Sequence, residues 1–189
     1  MASFSVVYDA CVLHPAPVRD LLMRIAVSGL VRVRWTEQIL DEMIRSIIRS
    51  RPDLSVGALD RTRELMCSAV PDCLVHGFER LIPGIHLPDP DDAHVVAAAI
   101  RGGAQAIVTF NLKDFPDHDL ESWNIEAKHP DEFVMDSIDL APGVVLQCLI
   151  EQAAALRHPS QTVDEVLETL RSAGLVRSAS ALRDLLRAS

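Results

Sequence analysis

The chain has 189 residues, 49% of them hydrophobic and 24% charged, with a formal net charge of −9. That length is enough to bury a sizeable core in one ordinary domain, or in one domain plus a small appendage. No run approaches the roughly 18 uninterrupted apolar residues needed to cross a bilayer, so no membrane association is expected. The acidic balance argues against a protein that tracks a nucleic-acid backbone through a basic surface. It leaves room for an enzyme that meets phosphates through metal ions and is locally acidic without them. The first residues, MASFSVVYDAC, lack a basic lead followed by a long apolar segment, so no secretion signal is expected. Cys11, Cys67, Cys73 and Cys148 form no C-x-x-C pair and read as reduced, buried thiols in a cytoplasm.

FSVVYDACVL opens with a β-branched apolar run, read as a buried strand whose carboxyl end carries Asp9. A helix follows, with Val18, Leu21, Leu22, Ile25 and Ala26 on one stripe and Gly29 placed as its C-terminal cap. LVRVRW alternates Val31, Val33 and Trp35 against Leu30, Arg32 and Arg34, a second strand. Thr36 then caps a helix whose Ile39, Leu40, Met43, Ile44, Ile47 and Ile48 recur at i, i+3, i+4. Pro52 ends that helix, and Ser55 to about Val70 forms another. PDCLVHG is at best a short strand. The next helix runs from about Asp91 to Ile100, stopped by Gly102 and Gly103; AQAIVTF is a third strand and IEAKHP an edge strand.

Strand and helix alternate through residue 130, which points to an α/β fold with a mostly parallel sheet covered by helices. In such sheets, sites lie at the carboxyl ends of the strands. Beyond Pro130 the segments PDEFVMDSIDL, APGVVLQCLIEQAAALRHP, TVDEVLETLRSAG and LVRSASALRDLLRAS read as consecutive helices, with Thr162 and Glu165 spaced as a capping box. The expected division is therefore an α/β domain over residues 1–135 and a helical extension over 136–189.

Four places concentrate acid: Asp9, Glu42, the Asp89/Asp91/Asp92 cluster in LPDPDDAHVVAAAI, and Asp114. A parallel sheet would gather the first, third and fourth at one edge. Three or four carboxylates in one pocket suit Mg²⁺ or Mn²⁺, hard cations that take oxygen ligands and bridge to phosphates. Ordinary structural roles compete at each position. Asp92 is placed to cap its helix, Asp89 and Asp91 flank a proline as solvated turn residues, and Asp114 sits in a loop. Glu42 lies off the apolar stripe, on the face of Arg45 and Arg49, where a surface ion pair would account for it. Asp9 is the hardest to explain structurally, because an acid closing a buried strand is costly without a partner. His94 has no second histidine at metal-binding spacing and reads as a packed or hydrogen-bonded core residue.

VVYDACVL, WTEQILDEMIRSI, LPDPDDAHVVAAAI and AIVTFNLKDFP together resemble, in order and spacing, the motifs of PIN domains over about residues 4 to 130. The resemblance implies a three-layer α/β/α fold and Mg²⁺- or Mn²⁺-dependent nuclease chemistry, as in the ribonuclease toxins of VapBC-type toxin–antitoxin pairs. Carried over by residue, it makes Asp9, Glu42, Asp92 and Asp114 the catalytic acids. It gives metal to Asp9, Asp92 and Asp114, with Asp91 as a helper. Here it overrides the surface-pair reading of Glu42, since a rim position beside the apolar stripe can reach a groove. Asn111 stands where many members have aspartate. Apart from the resemblance, Arg45, Arg49 and Lys113, with Asn111, are candidates for substrate contacts, and solvated surface charge is the competing reading of the three basic residues.

The implied activity is hydrolysis of RNA to 5′-phosphate and 3′-hydroxyl ends in the cytoplasm, with a small antitoxin as partner. Homodimerisation is the expected assembly, and the helical extension is one surface for it. Two rivals stand beside this reading. Asn111 keeps open a catalytically impaired binding module that docks protein or RNA, and the same carboxylates would serve a structure-selective DNA nuclease.

Overall fold

A computed structural model describes residues 4–188. Met1 to Ser3, where the stretch read for a secretion signal begins, and Ser189, the end of the last expected helix, lie outside the described residues. In chain order the elements begin with strand β1 (Ser5–Tyr8), the single helical turn α1 (Ala10–Leu13), helix α2 (Ala16–Val27) and strand β2 (Arg32–Arg34). Helices α3 (Glu37–Ser50), α4 (Val56–Ala69) and α5 (Ala93–Gly102) follow, then strand β3 (Ala106–Val108), the turn α6 (Asp117–Leu120) and strand β4 (Glu126–Lys128). The chain ends in α7 (Pro130–Leu140), α8 (Pro142–Ala155), α9 (Val163–Ser172) and α10 (Val176–Ala188). The described residues divide into two compact units: one holds the chain up to His14 together with Val31–His129, the other Pro15–Leu30 together with the chain from Pro130.

The first unit is built on a four-stranded, all-parallel sheet in the order β2-β1-β3-β4. Burial follows that order. Val6, Val7 and Tyr8 of β1, and Ala106, Ile107 and Val108 of β3, are fully buried. Central parallel strands are covered on both faces and so read as continuous apolar runs. The outer strands carry the charge that an exposed edge requires: Arg32 and Arg34 on β2, and on β4 a Glu126–Lys128 ion pair at 3.2 Å. PDCLVHG contributes one parallel bridge, Trp35 to Leu74, in place of a strand. Its backbone pairs with Trp35 through Trp35 N to Cys73 O and Val75 N to Trp35 O, and its Asp72 and His76 carbonyls accept from the Arg34 and Arg101 side chains.

Helix α3 begins where the sequence places it. Thr36, fully buried, accepts a hydrogen bond from the Ile39 amide at 3.1 Å, and Ile39, Leu40, Met43, Ile44 and Ile47 face the core. Helix α5 departs slightly from expectation: Pro90–Asp92 form a 3-10 turn and the α-helix starts at Ala93. It is buried from Ala93 to Ala99, which explains its small residues, and Gly103 closes it at φ +64°, a conformation that favours glycine.

Among the described residues the second unit is built of helices, with one isolated bridge between Arg157 and Ser160. The α2 stripe Val18, Leu21, Leu22, Ile25 and Ala26 is buried as expected, Gln152 of α8 donates to the Pro17 carbonyl at 2.9 Å, and Arg24 pairs with Glu151 at 3.6 Å. The capping box at Thr162 and Glu165 is formed in both directions. Helix α10 starts on the buried carboxylate of Asp131, which accepts from the Arg177 and Ser178 amides and the Ser178 hydroxyl at 2.9, 2.8 and 2.6 Å. Among the described residues no helix is long and apolar enough to cross a membrane, and all four cysteines are free. Cys73 and Cys148 are buried, whereas Cys11 and Cys67 are only half-buried, because each lies where its element meets solvent.

Removing the Thr36 cap tests how α3 is held. Thr36→Ala is expected to lower the unfolding free energy by about 1–2 kcal/mol, and Thr36→Ser by much less, in urea titrations followed by circular dichroism.

Candidate functional site

The parallel register of β1 and β3 sets Tyr8 beside Val108, so the next residue of each strand, Asp9 and Thr109, meet at the carboxyl edge. The ladder runs one step further, from Asp9 N to Val108 O at 3.1 Å. The Thr109 hydroxyl donates to Asp9 Oδ2 at 2.8 Å, and the Cys11 thiol donates to the same oxygen at 3.0 Å. The Cys11 sulfur in turn accepts from the Phe110 amide at 3.2 Å, and Thr109 Oγ1 accepts from the Asn111 amide at 3.0 Å. Asp9 is 5% exposed and pinned through one oxygen. Burial, with Asp9 next, pushes the Cys11 thiol up to about 12, so it stays a neutral donor.

Asp92 arrives from the helix side. Its carboxylate makes no capping hydrogen bond, and its backbone is already helical, so the capping role suggested by its position is not realised. Burial first, then repulsion from Asp9, Asp89 and Asp114, holds its proton up to about 7, with His94 acting weakly in the opposite direction. Asp9, Asp92 and Asp114 are therefore electrostatic neighbours. Asp89 behaves as a turn residue, accepting from the Asp91 amide at 3.0 Å through Oδ1, and Asp91 itself is exposed.

Asp114 is half-buried in a 3-10 turn, Leu112–Asp114, and its amide bonds to the Asn111 carbonyl at 2.9 Å. Asn111 and Lys113 are exposed on the same turn. Arg45 and Arg49 are exposed on α3, where Arg45 Nε donates to the Asp41 carbonyl at 3.3 Å. Glu42 pairs with neither arginine. Its Oε1 lies 3.0 Å from Nε2 of the buried His94 and 3.4 Å from Gln38 Nε2. Thr109 is the participant that pattern reading passed over; His94, read as a packed or hydrogen-bonded core residue, is buried as read, and Cys11, read as a buried thiol, is half-buried beside Asp9. A polar residue directly after a buried apolar strand is the local signal that would have found Thr109.

Among the described residues, no group of three or more His, Cys, Asp or Glu side chains is gathered closely enough to enclose a metal ion. The donor chemistry nevertheless fits Mg²⁺ or Mn²⁺. The acids are hard oxygen donors held within repulsive range, and Mg²⁺ typically uses one or two carboxylates while keeping several waters.

A parallel α/β sheet with acids at its carboxyl edge defines a class of α/β proteins whose site sits beyond the strand ends. Residues 5–113 match the PIN domain model, and the chain belongs to the PIN-domain family. Residues 130–184 match a second model, the VapC50 C-terminal domain. The chain is also similar to a Mycobacterium tuberculosis (strain ATCC 25618 / H37Rv) protein named "Putative ribonuclease VapC50", at 40% identity over 79 residues. That stretch covers 42% of this chain and 47% of the relative, so the match spans about half the relative's length. No solved structure matches the chain.

The Asp92 proton gives a test with a definite sign. In the unfolded chain Asp92 titrates near an ordinary aspartate, about 3.9. Folding raises it to about 7. Below pH 4 both states are protonated and nothing is lost. As pH rises from 4 to 7 the folded state holds a proton that the unfolded state releases, so stability falls, and the full cost applies above about pH 7. Asp92→Asn in metal-free protein is expected to gain on the order of 1–2 kcal/mol over wild type at pH 8, after discounting for solvent screening, and almost nothing at pH 4. Urea midpoints across that range measure it; equal gains at both ends would show that Asp92 is not compressed among the acids.

Proposed function

We propose that the chain is a metal-dependent endoribonuclease and the toxin of a bacterial toxin–antitoxin pair, in which Asp9, Asp92 and Asp114 hold Mg²⁺ or Mn²⁺ at the carboxyl edge of the sheet. The observation that carries this is the convergence of those three acids, expressed in the raised proton affinity of Asp92. Membership of the PIN family and the relative's printed name supply the reaction class.

Each residue then has a task. Thr109 and Cys11 occupy Asp9 Oδ2 and fix the carboxylate's orientation, which leaves Oδ1 without a hydrogen bond among the described residues. Asp92 approaches from α5 and Asp114 from the turn after β3, with Asp91 beside Asp92 as a helper. Bound there, Mg²⁺ or Mn²⁺ would supply polarisation of the scissile phosphoryl group and acidification of a water. Glu42 would serve as a base that orients the attacking water, or as a further ligand. Attack by water rather than by the 2′-hydroxyl leaves a 5′-phosphate and a 3′-hydroxyl. Asn111, Lys113, Arg45 and Arg49 are exposed, and the reading assigns them to RNA phosphates, contacts that position a substrate without reading its sequence.

The chemistry is assigned to residues 1–135, and the helices of 136–189 are proposed as a surface for homodimerisation or for a small antitoxin. Antitoxin recognition by an arginine among the acids would match guanidinium to carboxylate. The four free cysteines accord with a cytoplasmic setting. A second reading, a PIN-fold binding module without catalysis, is favoured by two observations: Asn111 in the fourth motif, and the lack of an ion-enclosing group among the described residues.

Incubation of labelled RNA with the protein and Mg²⁺ or Mn²⁺ is expected to give discrete 5′-phosphorylated products. Asp9→Asn and Asp92→Asn should each lower the rate at least about 100-fold, the scale set by loss of a catalytic group. The same ions should raise the melting temperature of wild type and not of Asp9→Asn. Folded protein that neither cleaves nor responds to the ions would favour the binding module.

A further inference from the structure

His94 is 2% exposed, one residue into α5 after Ala93. Its two ring nitrogens are buried, and neither has a hydrogen bond of good alignment. A buried imidazole left in that state costs free energy that an aliphatic side chain at the same place would not. One feature accounts for a histidine there: Nε2 lies 3.0 Å from Glu42 Oε1, on helix α3, within reach of a charge-assisted hydrogen bond.

Among the described residues, the His94 imidazole is the contact by which the Glu42 carboxylate reaches α5. The remaining contact of Glu42, Gln38 at 3.4 Å, lies on its own helix and cannot hold it against α5. Glu42 is 31% exposed in its side chain, and without His94 nothing on α5 would restrain its rotamer.

We propose that His94 is a positioning residue, fixing the Glu42 carboxylate of α3 beside the Asp92 end of α5 so that it faces the acids at the sheet edge. The inference rests on the nuclease reading above and deepens it. His94 touches no substrate and acts through Glu42, and the tie spans two helices that share few other contacts. Its cost in a variant is accordingly a loss of orientation rather than of binding.

The test is a double-mutant cycle between His94→Leu and Glu42→Gln, with His94→Gln and His94→Asn alongside. Cleavage of labelled RNA gives kcat and KM, and urea unfolding of the metal-free proteins gives a readout independent of catalysis. His94→Leu and His94→Asn are expected to lower kcat about 10- to 100-fold, the usual scale for removing a group that orients a ligand or base, with KM changed less than about twofold. His94→Gln, whose amide nitrogen reaches the place of Nε2, should restore most of the rate. In the Glu42→Gln background His94→Leu should cost little more, and the unfolding midpoints should be non-additive in the same sense. A wild type that cleaves, with His94→Leu equally harmful in both backgrounds or His94→Gln no better than His94→Leu, would overturn the proposal and leave the nuclease reading intact. A wild type that does not cleave overturns the nuclease reading; the unfolding cycle then decides the tie alone, non-additive midpoints supporting it and additive ones removing it.

Discussion

Holding Asp9, Asp92 and Asp114 within repulsive range is the constraint around which this protein is organised. Left to electrostatics they would separate. Two of them are fastened to elements that yield little, Asp9 to a strand whose three preceding residues are fully buried and Asp92 to the start of a helix buried over its first seven residues, while Asp114 follows on the turn after the second buried strand. The favourable burial of the central sheet offsets an unfavourable charge arrangement at its edge. Stability is thereby traded for a region of concentrated negative potential, which the proposed function uses as its metal site.

The hydrogen bonds around Asp9 show how that arrangement is kept in one geometry. Thr109 and Cys11 both donate to a single carboxylate oxygen, and each is itself fixed by a backbone amide of the Phe110–Asn111 segment. A carboxylate bonded on one side has one orientation and one open oxygen. A thiol can act as a donor here because burial beside Asp9 keeps the proton on sulfur.

Much of this was legible in the sequence, and the part that was not has a common cause. Signals that act within one element could be read: the apolar run before Asp9, the stripe from Ile39 to Ile47, the Thr36 cap, the box at Thr162 and Glu165. The set of acids at the sheet edge followed from topology, since parallel strands separated by helices must present their carboxyl ends together. What escaped depends on the register between elements far apart in sequence. No spacing rule joins His94 to Glu42, 52 positions earlier, or Thr109 to Asp9. The Asp92 cap failed as a reading because the chain enters α5 through a 3-10 turn, which has already turned the Asp92 backbone helical and removed the geometry a cap requires. The Leu74 bridge was ambiguous for a different reason: one pair of backbone bonds to Trp35 leaves too short a pattern to read.

Asp9 and its partner Thr109 stand 100 residues apart in the chain, and Asp114 comes later still. During synthesis the first acid emerges long before anything that can orient it, and at the ordinary pace of translation the interval is roughly 5–20 seconds. Over that time β1 lacks its central neighbour β3, and the carboxyl edge on which the acids converge does not exist. A truncated or stalled chain ending before β3 therefore carries Asp9, Glu42 and even Asp92 without a working arrangement of them. For a protein whose chemistry would be directed at RNA, the topology itself keeps the site incomplete until Asp114, more than a hundred residues after Asp9, has been added.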